Sequence, residues 1–202
     1  MSEYFNQKAA TWDQQSHRVA RAQEVAQKIK QQTMLPAQYR ALDFGCGTGL
    51  LGLNFADSAA ELVLADTATG MLEQVEHKIT QQALTNTHSL NLEHQPLQGG
   101  FDLIFSLMVL HHIEDYPATV KLLSQHLNPR GYLCLADLEA EDGSFHAPKI
   151  VPHNGFQRTD LEEVYRANGI TPSHYSTAFV IDKTIDGLER AYPVFLLIGQ
   201  KL

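Results

Sequence analysis

Three glycines at alternate positions follow a short apolar segment in the stretch ALDFGCGTGLL, residues 41–51. The apolar residues before Gly45 predict a buried parallel strand, and those after Gly49 predict a helix. Glycine allows a sharp turn and lets a ligand approach the main chain where a Cβ would block it. The free amides at the start of the next helix face that ligand. This order of strand, turn and helix is typical of a nucleotide-binding α/β unit.

The spacing of the glycines distinguishes between two classes of cofactor. A dinucleotide site uses G-x-G-x-x-G, whose third glycine lets helix and strand pack closely around a pyrophosphate. Here the third glycine comes one residue early, at Gly49, and Leu50 stands where the dinucleotide pattern has glycine. The turn therefore disfavours a nicotinamide oxidoreductase.

The segment LDFGCGTG resembles the first motif of class I S-adenosylmethionine-dependent methyltransferases. The segments LVLADTATGMLEQV, FDLIFSLMVLHHIED and LLSQHLNPRGYLCLAD follow in the order that this family uses. With the C-terminal strands, the resemblance covers residues 36–202, and the pattern is similar to the broad ubiquinone-biosynthesis-like methyltransferase group. It implies S-adenosyl-L-methionine as the cofactor and S-adenosyl-L-homocysteine as the product.

The same resemblance implies the architecture. We expect an α/β, Rossmann-like, doubly wound sheet of seven strands, with helices on both faces and the last strand antiparallel. Residues 36–202 are predicted to form this cofactor-binding domain. Residues 1–35 are predicted to form a helical leader that closes over the pocket as a lid.

An acidic residue ends the second predicted strand, at Asp66. The two oxygens of a carboxylate match the two vicinal hydroxyl donors of a ribose, which favours a ribose-binding role. Met71 either packs against the adenine ring, as the family often has it, or belongs to the core alone. The resemblance places the adenine-binding pair on Asn91 and Leu92, with Glu93 as the alternative to Asn91.

The complete set of cofactor-binding residues that we expect from the resemblance is Asp43, Gly45, Cys46, Gly47, Gly49, Asp66, Thr67, Met71, Asn91, Leu92, Ser106, Leu107 and His111.

The acceptor side is predicted from the segments that remain near the carboxyl ends of the central strands. The irregular stretch 138–158 is interpreted as a substrate-side lid, because a loop of this length in a compact domain is usually functional or mobile. Its acidic cluster, Glu139, Glu141 and Asp142, either attracts a cationic substrate or is simply solvated. The substrate-side candidates are Tyr4, Phe5, Trp12, Asp137 and His146. The alternative for the three aromatic residues is that they anchor the leader to the core.

Composition excludes several classes of protein. The net charge of −8 disfavours a non-specific nucleic-acid binder. No apolar run is long enough to span a bilayer, and the N-terminus lacks a signal-peptide pattern. Cys46 and Cys134 form neither a metal spacing nor a disulfide framework, so we expect no metal site and a cytoplasmic location. The sequence leaves the oligomeric state open.

The predicted reaction is methyl transfer to a small-molecule acceptor by in-line displacement. Such a reaction depends mainly on alignment and on exclusion of water, and needs a general base only if the nucleophile arrives protonated. The catalytic residues are therefore unknown, with His111, His112 and His153 as candidates. A non-catalytic S-adenosylmethionine-binding partner or regulatory protein is the alternative function, and the identity of the acceptor stays open.

Overall fold

A computed structural model describes residues 2–202, and Met1 of the predicted leader lies outside them. The helices of the described residues are α1 Ser2–Lys8, α2 Ser16–Gln32, α3 Thr69–Gln81, α4 Tyr116–Gln125 and α5 Arg158–Ala167. Short 3₁₀ helices cover Ala9–Gln14, Gly52–Phe55 and Leu110–His112. The strands are β1 Arg40–Phe44, β2 Glu61–Asp66, β3 Thr87–Asn91, β4 Phe101–Leu107, β5 Leu127–Leu138, β6 Ile170–Ile185 and β7 Leu188–Lys201.

The strands of the described residues form one seven-stranded sheet in the order β3-β2-β1-β4-β5-β7-β6. The pairs among β1 to β5 are parallel, and β7 runs antiparallel to both β5 and β6. The predicted fold class is confirmed, including the antiparallel last strand. The order reverses between β1 and β4, and ligands of open α/β sheets bind beyond the carboxyl ends of strands at such a switch point.

Two apolar layers cover the central strands, as expected for strands buried on both faces. Alternate residues of β4 show this: Leu103 and Phe105 belong to the cluster that α2 covers, and Ile104 belongs to the cluster that α4 and α5 cover. All three side chains are fully buried. The sheet is therefore rigid where its carboxyl ends carry polar groups.

Two helix predictions need correction. A helix is expected from Gly49 to Asp57, but the chain forms turns followed by the 3₁₀ helix Gly52–Phe55. The Asn54 side-chain amide donates to the carbonyls of Leu50 and Leu51, and this competes with regular helical hydrogen bonding. A capping box is expected at Thr159, but α5 begins at Arg158 after Gln157, which makes no side-chain cap.

The leader is helical over nearly all of its described residues. Residues 2–14 form α1 and a 3₁₀ helix, ahead of the expected α2. No helix among residues 2–202 combines the length and apolar character needed to cross a membrane.

Candidate active site

The glycine turn is held in shape by acidic side chains at the ends of two neighbouring strands. Gly45, Gly47 and Gly49 have φ angles of 72°, 53° and 79°, in the region that glycine adopts without strain. The Gly47 amide donates to Asp66 Oδ2 at 2.8 Å, and the Gly52 amide donates to Asp43 Oδ2 at 2.8 Å. The turn is therefore fixed before any ligand arrives.

Asp43 holds the turn from underneath. Its side chain is buried, and burial, opposed by the hydrogen bond from Gly52 and reinforced by the nearby Asp66 charge, raises the pKa of Asp43 to about 8. Asp43 lies among the predicted cofactor-binding residues, and its observed contact is with the backbone of the turn. Burial also raises the pKa of the Cys46 thiol well above its ordinary value, so Cys46 carries no thiolate.

A ligand fits in front of the turn at Gly47. A Cβ built on Gly47 meets nothing within 4 Å, so open space adjoins this main-chain segment. Asp66 lies at the same edge, where Oδ1 accepts the Ala68 amide at 2.8 Å while Oδ2 accepts Gly47. A carboxylate has about four acceptor sites, so these two bonds leave capacity for hydroxyl donors. The residues present thus fit a ligand that brings hydroxyl groups to a glycine-rich backbone.

Other predicted adenine-side residues have contacts within the protein. The Leu92 amide donates to the Asp66 carbonyl at 2.9 Å, and an amide has one hydrogen to donate, so the observed contact of this amide is with β2. The Asn91 side chain accepts from the Glu93 amide and donates to Thr69 Oγ1. The buried Met71 packs with Ala9 and Ala68 and with the leader aromatics, and Thr67 is exposed.

The turn that follows β4 packs directly on the glycine turn. A Cβ on Gly45 would lie 2.5 Å from Val109 Cγ2, so only glycine allows this approach. Met108 adopts a φ of 59°, a strained value for a side-chain-bearing residue of the kind that clusters at functional sites. Ser106, which is buried, donates to the Phe44 carbonyl at 2.7 Å, and Leu107 ends β4 beside it. This packing places the 3₁₀ helix Leu110–His112, which carries the two histidines, beside the glycine turn.

His111 and Asp137 form a buried pair at the ends of β4 and β5. His111 Nδ1 lies 2.6 Å from Asp137 Oδ1, and the His111 backbone amide donates to Asp137 Oδ2 at 3.2 Å. Both side chains are 1% exposed. An ionised carboxylate only accepts hydrogen bonds, so His111 Nδ1 donates to Asp137 and leaves Nε2 as the ring nitrogen that faces the rest of the site. The separate sequence predictions for His111 and Asp137 thus meet in one arrangement.

Two further histidine rings pack against His111. Its ring centroid lies 3.9 Å from that of His112 and 4.9 Å from that of His146. Burial, together with the neighbouring His111 ring, lowers the pKa of His112 to about 3 and that of His146 to about 4. Both rings are therefore neutral at physiological pH.

His153 has a structural role instead. Its Nε2 lies 3.0 Å from the carbonyl of Ile113 and 3.1 Å from that of Glu114, and carbonyls only accept. Nε2 must therefore carry the proton, and the ring ties the 138–158 segment to the turn after β4. Nε2 is therefore engaged in these contacts, and only Nδ1 of His153 is left for the predicted catalytic role.

The leader is tied to the glycine turn and to α3 through contacts that were not predicted from the sequence. Thr48 Oγ1 donates to Asp13 Oδ1 at 2.5 Å, and Asp13 also pairs with Lys78 at 2.5 Å. The Gly70 amide donates to Asn6 Oδ1 at 2.8 Å. Nothing in the polar sequence of residues 6–13 distinguishes these partners from solvated side chains.

The aromatic residues of the leader extend from the glycine turn to the histidines. The ring of Phe5 lies 5.5 Å from His112 and 5.8 Å from Trp12, and Arg18 stacks 3.6 Å above Trp12. Tyr4 is 43% exposed and receives Lys149 Nζ 3.5 Å above its ring. The leader therefore contacts both the histidine cluster and the 138–158 segment.

The acidic cluster of the 138–158 segment is tied to the protein itself. Glu141 Oε2 accepts the Phe145 amide, and Asp142 pairs with Arg190 at 2.7 Å. Hydrogen bonds from Ser144 and Arg190 lower the pKa of Asp142 to about 2. These contacts give the cluster a structural explanation that does not need a cationic substrate.

Sequence comparison identifies relatives along most of the chain. The family model of a methyltransferase domain matches residues 13–172. A trans-aconitate 2-methyltransferase from Deinococcus radiodurans is 27% identical over 92% of this chain and 75% of its own length. A malonyl-[acyl-carrier protein] O-methyltransferase from Anoxybacillus flavithermus is 30% identical over 72% of this chain. The chain spans only about half, 54%, of that relative's length.

Structural comparison agrees on the fold. The magnesium protoporphyrin IX methyltransferase from Synechocystis, solved with bound S-adenosylhomocysteine, superimposes with a TM-score of 0.65 at 17% identity. The match covers 92% of this chain and 84% of that one. At 17% identity, this structural similarity shows a shared fold alone.

Proposed function

Since the chain belongs to the S-adenosylmethionine-dependent methyltransferases, we propose that it methylates an oxygen atom of a small organic acid. When bound, the cofactor supplies a methyl group on a sulfonium, which is a highly activated leaving group. The observation that carries the proposal is the pre-shaped turn at Gly45–Gly49, packed through Val109 against the histidine cluster. Cofactor and acceptor sites thereby adjoin at the switch point of the sheet.

On the cofactor side, the chain's own residues bind and orient. Gly47 leaves main chain open to the ligand, and Asp66 offers its remaining acceptor sites to ribose hydroxyls. Asp43 acts as a positioning residue through Gly52. The leader, held by Asp13 and by Asn6, serves as the lid that excludes water from this edge.

On the acceptor side, two nearby lysines and the substrates of two relatives support an anionic substrate. Lys149 Nζ lies over the Tyr4 ring and Lys183 Nζ donates to the Phe145 carbonyl. Both charges lower the pKa of His146, so two cations lie near the histidine cluster. Relatives that methylate trans-aconitate and a malonyl group act on carboxylic acids. A carboxylate is already deprotonated at neutral pH, so its methylation needs alignment and not a general base.

One observation favours a second candidate, an acceptor with a hydroxyl group. Asp137 orients the His111 ring through Nδ1, and His111 Nε2 is buried without a hydrogen-bond partner within the described residues, which is the arrangement of a general base. For such an acceptor, His111 would take the hydroxyl proton as the oxygen attacks.

A radiolabel assay separates the two acceptors. The chain is incubated with S-adenosylmethionine labelled in the methyl group and a panel of small mono-, di- and tricarboxylic acids. We expect base-labile products that release volatile labelled methanol, as methyl esters do. Base-stable products would identify the hydroxyl acceptor. S-adenosylhomocysteine binding without transfer to any acid would contradict the acceptor class, and loss of that binding would contradict the cofactor site.

A further inference from the structure

Three histidine side chains from two separate segments converge beside the glycine turn. We infer that His111, His112 and His146 form a binding site for a divalent transition-metal ion. His111 and His112 come from the 3₁₀ helix Leu110–His112, and His146 comes from the 138–158 segment. One ring nitrogen from each histidine lies within 4.8 Å of the other two.

These distances suit a tetrahedral ion after a small adjustment. Zinc–nitrogen bonds of about 2.0–2.1 Å place the nitrogens of a tetrahedral site about 3.4 Å apart. From separations within 4.8 Å, each pair needs to approach by at most about 1.4 Å. Two of the rings are half-buried rather than locked in the core, so they can make that adjustment.

The cluster holds more buried ring nitrogens without partners than a single general base requires. His111 Nε2, His112 Nδ1 and His146 Nε2 are all buried, and none has a hydrogen-bond partner within residues 2–202. A general base at His111 accounts for one of these nitrogens and leaves two unexplained. Three rings that each offer a ligand nitrogen within 4.8 Å of the others, and that each hold a buried nitrogen without a partner in the described residues, match the ligand set of a metal.

Asp137 completes the arrangement from behind. Metal-binding histidines commonly donate their second ring N–H to a carboxylate, which fixes the tautomer and orients the ring. His111 does this through Nδ1 to Asp137 Oδ1 at 2.6 Å, and Asp137 Oδ1 also accepts the Leu138 amide at 2.7 Å. The sequence prediction of no metal site rested on cysteine spacing, and it missed a set assembled from distant histidines.

The ligand chemistry selects the class of ion. Imidazole nitrogen suits Zn²⁺ and its neighbours, whereas Mg²⁺ and Ca²⁺ prefer oxygen ligands. A site with three histidines leaves the fourth position of zinc open to exchange. If the proposed function holds, a carboxylate oxygen of the acceptor can take that position and be aligned there.

The test is a titration of the purified chain without any histidine tag. After chelator treatment, ZnCl₂ is added in a calorimeter, and CoCl₂ is added in a spectrophotometer. We expect one equivalent of Zn²⁺ per chain, and with Co²⁺ the strong visible absorption of a tetrahedral site. An unliganded cluster satisfied only by water would give neither signal, which would overturn the inference.

Variants locate the bound ion. His112→Ala and His146→Ala should each weaken zinc binding at least tenfold, and Asp137→Asn should weaken it about ten- to a hundredfold. His146→Gln serves if the alanine variant unfolds. His77→Ala is the control, because His77 is exposed on α3, and it should bind zinc like the wild type. Wild-type affinity in a His112→Ala, His146→Ala double variant would overturn the inference.

A second titration on the same metal-free samples keeps the two proposals apart. S-adenosylhomocysteine binding should persist in every histidine variant, which also shows that each is folded. Absent zinc binding with intact S-adenosylhomocysteine binding refutes the metal site alone. Intact zinc binding without S-adenosylhomocysteine binding refutes the proposed function alone.

Discussion

Gly47→Ala is expected to weaken cofactor binding while leaving the fold intact. Gly47 has a φ of 53°, and a Cβ there meets no atom within 4 Å. The folded protein therefore pays only the backbone strain of alanine in this conformation, about 1–2 kcal/mol. For a domain of this size, that lowers the melting temperature by about 2–8 °C.

The effect on binding is larger because the new methyl group occupies the space in front of the turn. Forcing a methyl group into a packed contact costs about 1–3 kcal/mol, which weakens S-adenosylhomocysteine binding by about 5- to 150-fold. Calorimetric titration measures the dissociation constant, and a thermal melt measures stability.

Gly169→Ala is the matched control. Gly169 has a φ of 72° and also has no atom within 4 Å of a built Cβ. It precedes β6, at the edge of the sheet opposite to the carboxyl ends of β1 and β4. The two variants should lose similar stability, and only Gly47→Ala should lose affinity. Equal affinities in both variants would show that the ligand does not approach the main chain at Gly47.

Three other predictions test separate parts of the site. Asp43→Asn keeps an acceptor for Gly52 and removes a group whose pKa is about 8 in the folded protein, so the native state no longer holds the extra proton between pH 4 and pH 8. In denaturant titrations from pH 5 to 7, the wild type should lose stability relative to this variant by about 1.4 kcal/mol per pH unit, and parallel curves would contradict the buried protonated carboxyl. With a hydroxyl acceptor, for which His111 is the proposed base, Asp137→Asn should slow methyl transfer about a hundredfold by misaligning His111, with S-adenosylhomocysteine affinity unchanged, and a rate equal to wild type would remove the pair from that mechanism. Asp13→Ala removes the part-buried contacts with Thr48 and Lys78, so it should speed hydrogen exchange in residues 2–14 in the free chain, and unchanged exchange would contradict the closed leader.

The sheet was predictable because its signals are local. Apolar runs such as residues 101–106 mark strands buried on both faces, and the glycine pattern marks the turn. Asp186–Gly187 is a further local signal: both residues have positive φ, 51° and 78°, as a tight turn between hairpin strands requires. The apolar segments Ser176–Ile181 and Tyr192–Gly199 predict two shorter strands, and β6 and β7 extend beyond both to meet at this turn.

The contacts between distant segments were not predictable. His111 and Asp137 were each expected near the pocket, but their pairing depends on the register in which Leu107 lies opposite Ala136. His146 reaches the same place only through the path of an irregular loop. Single-sequence patterns carry periodicity and turn chemistry, and neither determines where such a loop folds back.

A crystal structure with S-adenosylhomocysteine bound is the most direct test of the proposed site. We expect the ligand against the main chain of Gly45–Gly49, with its ribose at Asp66. Its thioether sulfur should face the cluster of His111, His112 and His146, because the acceptor must lie beyond the transferred methyl group. A ligand bound elsewhere, or a sulfur that points away from these histidines, would contradict the assignment of the acceptor side.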